Sequence, residues 1–173
     1  MSSVRSADAP RLVFATGNAH KVAELEAIIA PLLPEGAGRI GRMSDFDVTE
    51  PVEDGASFEE NSLIKARSLC AATGIAALAD DSGLCVDIMG GAPGIFSARW
   101  SGAHGNDRAN LELLLAQLSD VPLHLRGAAF VSAAALVLPD GREFVELGRV
   151  EGHLTTAPQG EQGFGYDPIF VPS

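Results

Sequence analysis

The stretch "LVFATGNAHKVAEL", residues 12–25, decides how the chain is read. Its apolar run, Leu12-Val13-Phe14-Ala15, has the length of a buried strand and stops at Thr16-Gly17-Asn18. Asn18 can accept hydrogen bonds from the amides that follow it, so a helix is expected from Asn18, as N-cap, to about Leu33. Val22, Leu25, Ile28, Ile29 and Leu32 recur at helical spacing and predict a buried stripe, with Lys21 on the same side. A cation in the first turn faces the positive end of the helix dipole and is unfavourable unless an anion sits nearby. The position of Lys21 therefore asks for a negative ligand.

Strand and helix signals alternate through the rest of the chain. "PEGAGRIGRMSDFD" (34–47) reads as a short strand between loops, and "VTEPVEDGAS" (48–57) as an acidic turn region. Ser57-Phe58-Glu59-Glu60 has the form of a capping box, opening a second helix that should run to Thr73 and stop at Gly74. Phe58, Ala66, Leu69 and Cys70 share its buried arc, with Asn61 and Lys65 along the border. "IAALADDSGLCVDIMGG" (75–91) predicts a strand, a sharp turn at Asp80-Asp81-Ser82-Gly83 and a second short strand. Asn106 or Asp107 can cap a third helix, "RANLELLLAQL", burying Leu111, Leu114, Leu115 and Leu118. Residues 126–154 read as two long strands joined by a Pro-Asp-Gly hairpin turn, and 160–173 as a glycine-punctuated loop with one short strand. The expectation is an α/β fold with a mixed sheet and flanking helices, formed by one domain over residues 11–173 behind a flexible leader at 1–10.

Composition narrows the function. A formal net charge of −11 over 173 residues sets the molecule against a nucleic-acid backbone, yet a local cluster of lysines and a dication can still hold a small polyanion. Cys70 and Cys85 stand in apolar contexts without metal-ligand spacing, which predicts buried thiols in a reducing compartment. No apolar stretch is long enough to span a bilayer, so a soluble cytoplasmic protein without membrane contact is expected.

Chemistry could reside at a few places. Thr16-Gly17-Asn18-Ala19-His20-Lys21 lies at a strand-to-helix junction, where N–H groups, a glycine and a lysine can cradle phosphate. It lacks the second glycine and the hydroxyl of a Walker A loop, and by itself also reads as a capped helix with a surface lysine. Asp80 and Asp81 can bind a hard cation or activate water, or simply form a solvated turn. Glu53, Asp54, Glu59 and Glu60 add carboxylates, and His20, His104, His124 and His153 show no metal-ligand spacing. The loop Phe164-Gly165-Tyr166-Asp167-Pro168 can stack a planar base, or it can plug the core with its two rings.

Taken in order, "ATGNAHKVAEL", "SFEENSLIKAR", "ADDSGLCVDIMGGAPGIFSARWSG" and "GFGYDPIF" resemble the noncanonical purine nucleoside triphosphate pyrophosphatase family, of the Maf/ITPase superfamily. The resemblance implies an elongated ITPase-like α/β fold, a homodimer, and Mg²⁺-dependent hydrolysis of ITP, dITP or XTP to the monophosphate and pyrophosphate. It implies that Thr16, Gly17, Asn18, Ala19, His20 and Lys21 hold the triphosphate, with Lys65 facing phosphates from the second helix. Asp81 would bind magnesium and act as general base, Glu53 would be the second metal-side carboxylate, and Ser82 would contact substrate. Phe164, Gly165, Tyr166 and Asp167 would form part of the base pocket. The resemblance also implies a helical tail with a Ser-His-Arg motif reading the base, whereas these 173 residues end at Val171-Pro172-Ser173, from which relaxed or feeble activity is expected. A pyrophosphatase for other modified nucleotides, or a nucleotide-binding module without turnover, are the alternative readings.

Overall fold

A computed structural model describes residues 10–33, 40–160 and 163–173. The expected leader, apart from Pro10, and the Gly/Pro loop around Gly36 and Gly38 lie outside the described residues. Strands β1 (Leu12–Phe14), β2 (Ile40–Arg42), β3 (Ala76–Val86), β4 (Gly127–Val137), β5 (Glu143–Leu154) and β6 (Phe170–Pro172) form one mixed sheet in the order β2-β1-β3-β4-β5-β6. Helices α1 (Ala19–Ile29), α2 (Phe58–Thr73) and α3 (Asp107–Gln117) flank it. β1 runs parallel to both β2 and β3, with Val13 opposite Gly41 and Ala77, while β5 and β6 are antiparallel. The fold divides into two compact units, one holding residues up to Asp80 plus Ala133–Glu146, the other Asp81–Ser132 plus Leu147–Ser173.

In the first unit, α2 begins where its sequence says it should. The Ser57 hydroxyl accepts from Glu60 N–H at 3.1 Å, and the Glu60 carboxylate reaches back to Ala56 N–H at 2.6 Å. Gly74 closes the helix in the left-handed region, φ 65°, where a side chain would be strained. Ala66, Leu69 and Cys70 of α2 pack with Val13 and Ala15, Ala77 and Ala79, and Ala135 and Val137, which alternate along their strands. The hairpin between β4 and β5 turns at Pro139-Asp140-Gly141, with Leu138 N–H donating to Arg142 O at 2.9 Å.

The second unit has its own core, in which Leu111, Leu114 and Leu118 of α3 meet Leu84, Val86, Ala128, Leu154, Tyr166 and Ile169. Arg126 is buried there and donates to the carbonyls of Val121, Thr155 and Leu118, tying the end of α3 to the segment after β5. A guanidinium at a helix C-terminus complements the dipole as well as satisfying carbonyls.

Expectations are corrected in three places: at α1, at Cys85 and on β3. Helix α1 starts at its predicted cap but ends at Ile29, because Pro31 cannot donate to the helical ladder and Ala30–Leu32 form a 3-10 turn instead. The predicted stripe on α1 is not a core either: Val22 is its one buried member, while Ile28 and Leu32 are 64% and 76% exposed. Cys85 is only partly buried, though burial pushes both thiols up from their ordinary value.

The third correction reaches the site. No turn occurs at Asp80-Asp81-Ser82-Gly83; β3 runs unbroken from Ala76 to Val86. Gly83 serves packing rather than bending, since a Cβ there would collide with Gly94 O and lie 2.5 Å from Ser97 Oγ. We predict that Gly83→Ala lowers stability by about 1–3 kcal/mol, measured as a shift of the urea midpoint without a change in slope; an unaltered midpoint would contradict the close approach.

Candidate active site

The strand-to-helix junction is rigid before any ligand arrives. Thr16 Oγ1 accepts from Asn18 N–H at 3.2 Å, and Asn18 Oδ1 accepts from His20 N–H at 3.0 Å and from Lys21 N–H at 3.4 Å. These bonds engage amides that the sequence reading offered to phosphate, so the cationic side chain becomes the stronger anion-binding element. A shallow cleft of about 350 Å³, lined by Thr16, Gly17, Ala19, Val22, Arg42 and Phe46 among others, opens beside this turn. Gly17 lets a carboxylate close, because a Cβ there would lie 3.1 Å from Glu50 Oε1.

Lys21 has found the anion its position demands. Its Nζ lies 2.6 Å from Asp80 Oδ2, with side chains 21% and 13% exposed. Strand β3 brings Asp80 beside α1 through the parallel β1–β3 pairing, extended past β1 by Ala15 N–H donating to Leu78 O at 2.8 Å. The other Asp80 oxygen, Oδ1, is buried without a hydrogen-bond partner among the described residues. A buried carboxylate oxygen in that state is a costly, strongly accepting site.

A second lysine–carboxylate pair is built by α2. Lys65 Nζ lies 3.2 Å from Glu53 Oε2. Asn61, buried one helical turn before Lys65, accepts from Gly55 N–H at 2.9 Å and so fixes the acidic loop that carries Glu53. Glu50 and Lys65 also line a small crevice with Ala15 and Leu69. Sequence reasoning passed over Glu50; the available signal was its place before Pro51, which favours extended backbone, in the acidic segment already noted.

In the second unit, Asp81 Oδ1 accepts from Ser82 N–H at 3.1 Å, and both residues are half-buried on β3. The loop from Gly163 divides its side chains between the two readings. Phe164 is 39% exposed, whereas Tyr166 is 5% exposed, packs in the core and donates its hydroxyl to Ser97 O at 2.8 Å. Asp167 Oδ2 accepts from Phe164 N–H at 3.0 Å, and Gly165 N–H donates to Asp107 Oδ2 at 3.2 Å, which sets the loop against the start of α3. A groove of about 620 Å³ runs past Phe164, Gly165, Asp107 and Arg108. Ser97 and Asn110, buried polar residues the sequence reading did not single out, organise the neighbouring 3-10 segment Gly94–Arg99. Among the described residues no group of three or more His, Cys, Asp or Glu converges on one point, and no helix is long and apolar enough to cross a membrane.

These features belong to a known lineage. The Ham1 family model matches residues 12–173, and the chain belongs to that family. It is 55% identical over 166 residues to the dITP/XTP pyrophosphatase of Streptomyces avermitilis, covering 94% of this chain and 80% of that one. The dITP/XTP pyrophosphatase of Corynebacterium efficiens is 54% identical, over 94% of this chain and 78% of its own. Among solved structures, the nucleoside-triphosphatase / dITP/XTP pyrophosphatase of Mycobacterium abscessus superposes with a TM-score of 0.80 at 52% identity, covering 93% of this chain and 81% of that one. A HAM1 protein from Coxiella burnetii gives a TM-score of 0.83 at 34% identity, covering 94% and 81%.

The ion pair at the junction yields a stability prediction. Lys21→Met strands the Asp80 carboxylate with neither oxygen paired and should cost about 1–3 kcal/mol, while Lys21→Met with Asp80→Asn should recover part of that loss. Urea denaturation of the two variants checks this, and equal destabilisation would contradict the pairing.

Proposed function

We propose that the chain hydrolyses noncanonical purine nucleoside triphosphates, ITP, dITP and XTP among them, to the monophosphate and pyrophosphate. The observation that carries this reading is the family match over residues 12–173, which takes in every residue of the candidate site, with relatives above 50% identity named for that activity.

The chemistry follows from charge. Water attacks the α-phosphorus, a P–O bond to water forms, the bond to the bridging oxygen breaks, and pyrophosphate departs with the electron pair. Negative charge grows on the non-bridging and leaving oxygens, so the site must place cations there beforehand. Lys21 and Lys65 are assigned that task. Each is held by a carboxylate, Asp80 and Glu53 respectively, which aims the ammonium toward the phosphate oxygens it is assigned to meet. Thr16 to His20 form the rigid turn against which the triphosphate rests. Asp81 accepts the proton of the attacking water, Ser82 contacts substrate beside it, and Phe164, Gly165 and Asp167 face the base.

Mg²⁺ fits the donor set. Asp81 and Glu53 supply hard carboxylate oxygens, Asp80 Oδ1 is a buried acceptor without a partner among the described residues, and a magnesium that keeps waters and phosphate oxygens needs only one or two side chains. Asp81 and Glu53 would hold it; when bound, it lowers the pKa of water and neutralises phosphate charge. The reading carries with it a homodimer acting on the cytoplasmic nucleotide pool, and the second unit exposes Ile88, Phe96, Leu147 and Val150 as material for such an interface.

Monophosphate and pyrophosphate formation from ITP, XTP, GTP and ATP tests the assignment. The expected outcome is turnover of ITP and XTP well ahead of GTP and ATP; binding without pyrophosphate release would leave a nucleotide-binding module instead. Asp81→Asn should lower kcat by about a hundred- to ten-thousand-fold with ITP still bound, and unchanged turnover would remove Asp81 from the role of base. Lys21→Ala should raise KM and lower kcat together; normal kinetics would defeat its place on the triphosphate.

A further inference from the structure

Tyr166 lies in the loop assigned to the base, yet its ring is turned into the core of the second unit. It is 5% exposed, packed with Leu84, Val86, Leu114 and Ile169, and its hydroxyl donates to Ser97 O at 2.8 Å. Ser97 in turn grips strand β3: its Oγ accepts from Leu84 N–H at 2.9 Å, contacts Gly94 O at 2.6 Å, and sits where a Cβ on Gly83 would intrude. Leu84 follows Gly83, which follows Asp81-Ser82 directly. The hydrogen bonds thus run from the loop, through the backbone and hydroxyl of one buried serine, to the strand segment carrying the proposed base.

We propose that Tyr166 is a positioning residue that locks the base-facing loop to the Asp81 segment of β3 through Ser97. The inference rests on the assignment of Asp81 above and deepens it. Every link is buried or partly buried and of ordinary hydrogen-bond length, so each resists exchange with water. Burial, and after it the charge of Asp107, push the phenol up from its ordinary value, so the hydroxyl remains a donor through the neutral and mildly alkaline range. The outer face of the loop is fixed separately, by Asp167 on Phe164 N–H and Asp107 on Gly165 N–H, while Tyr166 anchors from beneath. A lock of this kind acts on reacting geometry without reading the base, so its loss should be felt equally by every nucleotide.

Tyr166→Phe keeps the ring in the core and removes only the hydroxyl. Assayed well below its melting temperature, it should lose about three- to tenfold in kcat, the rate equivalent of one hydrogen bond, with KM little changed and the same factor for ITP, XTP and GTP. Ser97→Ala, which frees Leu84 N–H from its partner, should give a similar uniform loss, and the double variant should lose clearly less than the product of the two. Phe164→Ala is the contrast, expected to change KM and to do so differently for different bases. Unchanged kinetics in Tyr166→Phe with a lowered melting temperature would make the residue merely structural. A base-selective change in KM would put its ring on the ligand, and either result overturns the proposal. Asp81→Asn is measured alongside: its retained turnover would sink the assignment of the base, whereas an inactive Asp81→Asn beside a fully active Tyr166→Phe would sink the lock alone.

Discussion

One strand has to serve two cores, one in each unit. Strand β3 gives the odd residues Ala77 and Ala79 to the core of the first unit and the even residues Leu84 and Val86 to that of the second. Side chains alternate along an extended strand, and the buried parity changes between Ala79 and Leu84. Between the two runs stand Asp80, Asp81 and Ser82, each only half-buried, where polar side chains can be kept near the interior without filling it. β4 makes the same exchange, with Ala135 and Val137 in one core and Ala128 in the other. Adjacent residues on a strand point to opposite faces, and the two carboxylates take different partners, Asp80 the Lys21 ammonium and Asp81 the Ser82 amide.

The electrostatics follow from that placement. A chain of net charge −11 is a poor host for a polyanion unless its few cations are concentrated and held ready. Lys21 and Lys65 are held by partly buried carboxylates, which offsets the unfavourable first-turn position of Lys21 and orients both ammonium groups. The supports are local and cheap in sequence: an asparagine that caps α1, an asparagine in α2 that fastens the loop of Glu53, and a glycine that admits Glu50. The two asparagines fasten backbone near a charged group, and the glycine leaves room for one.

Legibility in the sequence tracked the range of the interaction. The Asn18 cap, the Ser57 cap with its Glu60 return, the Gly74 stop and the Pro-Asp-Gly hairpin were readable because each depends on neighbours within a few residues. The mixed sheet was readable from the alternation of element types. Asp80-Asp81-Ser82-Gly83 misled because polar residues and a glycine in a row imitate a turn, whereas the glycine answers to Ser97, distant in the chain. The α1 stripe misled because periodicity shows which residues share a face, not whether anything covers it. Lys21 was singled out as needing an anion, expected as a ligand; the parallel pairing of β1 with β3 supplies one from the protein itself, Asp80.

The central claim is a reaction at the α-phosphorus of a bound triphosphate, and the label of the attacking water tests it most directly. Hydrolysis of ITP in ¹⁸O-water should place the heavy oxygen in inosine monophosphate and leave pyrophosphate unlabelled. Label in pyrophosphate, or release of inosine diphosphate with inorganic phosphate, would contradict the account.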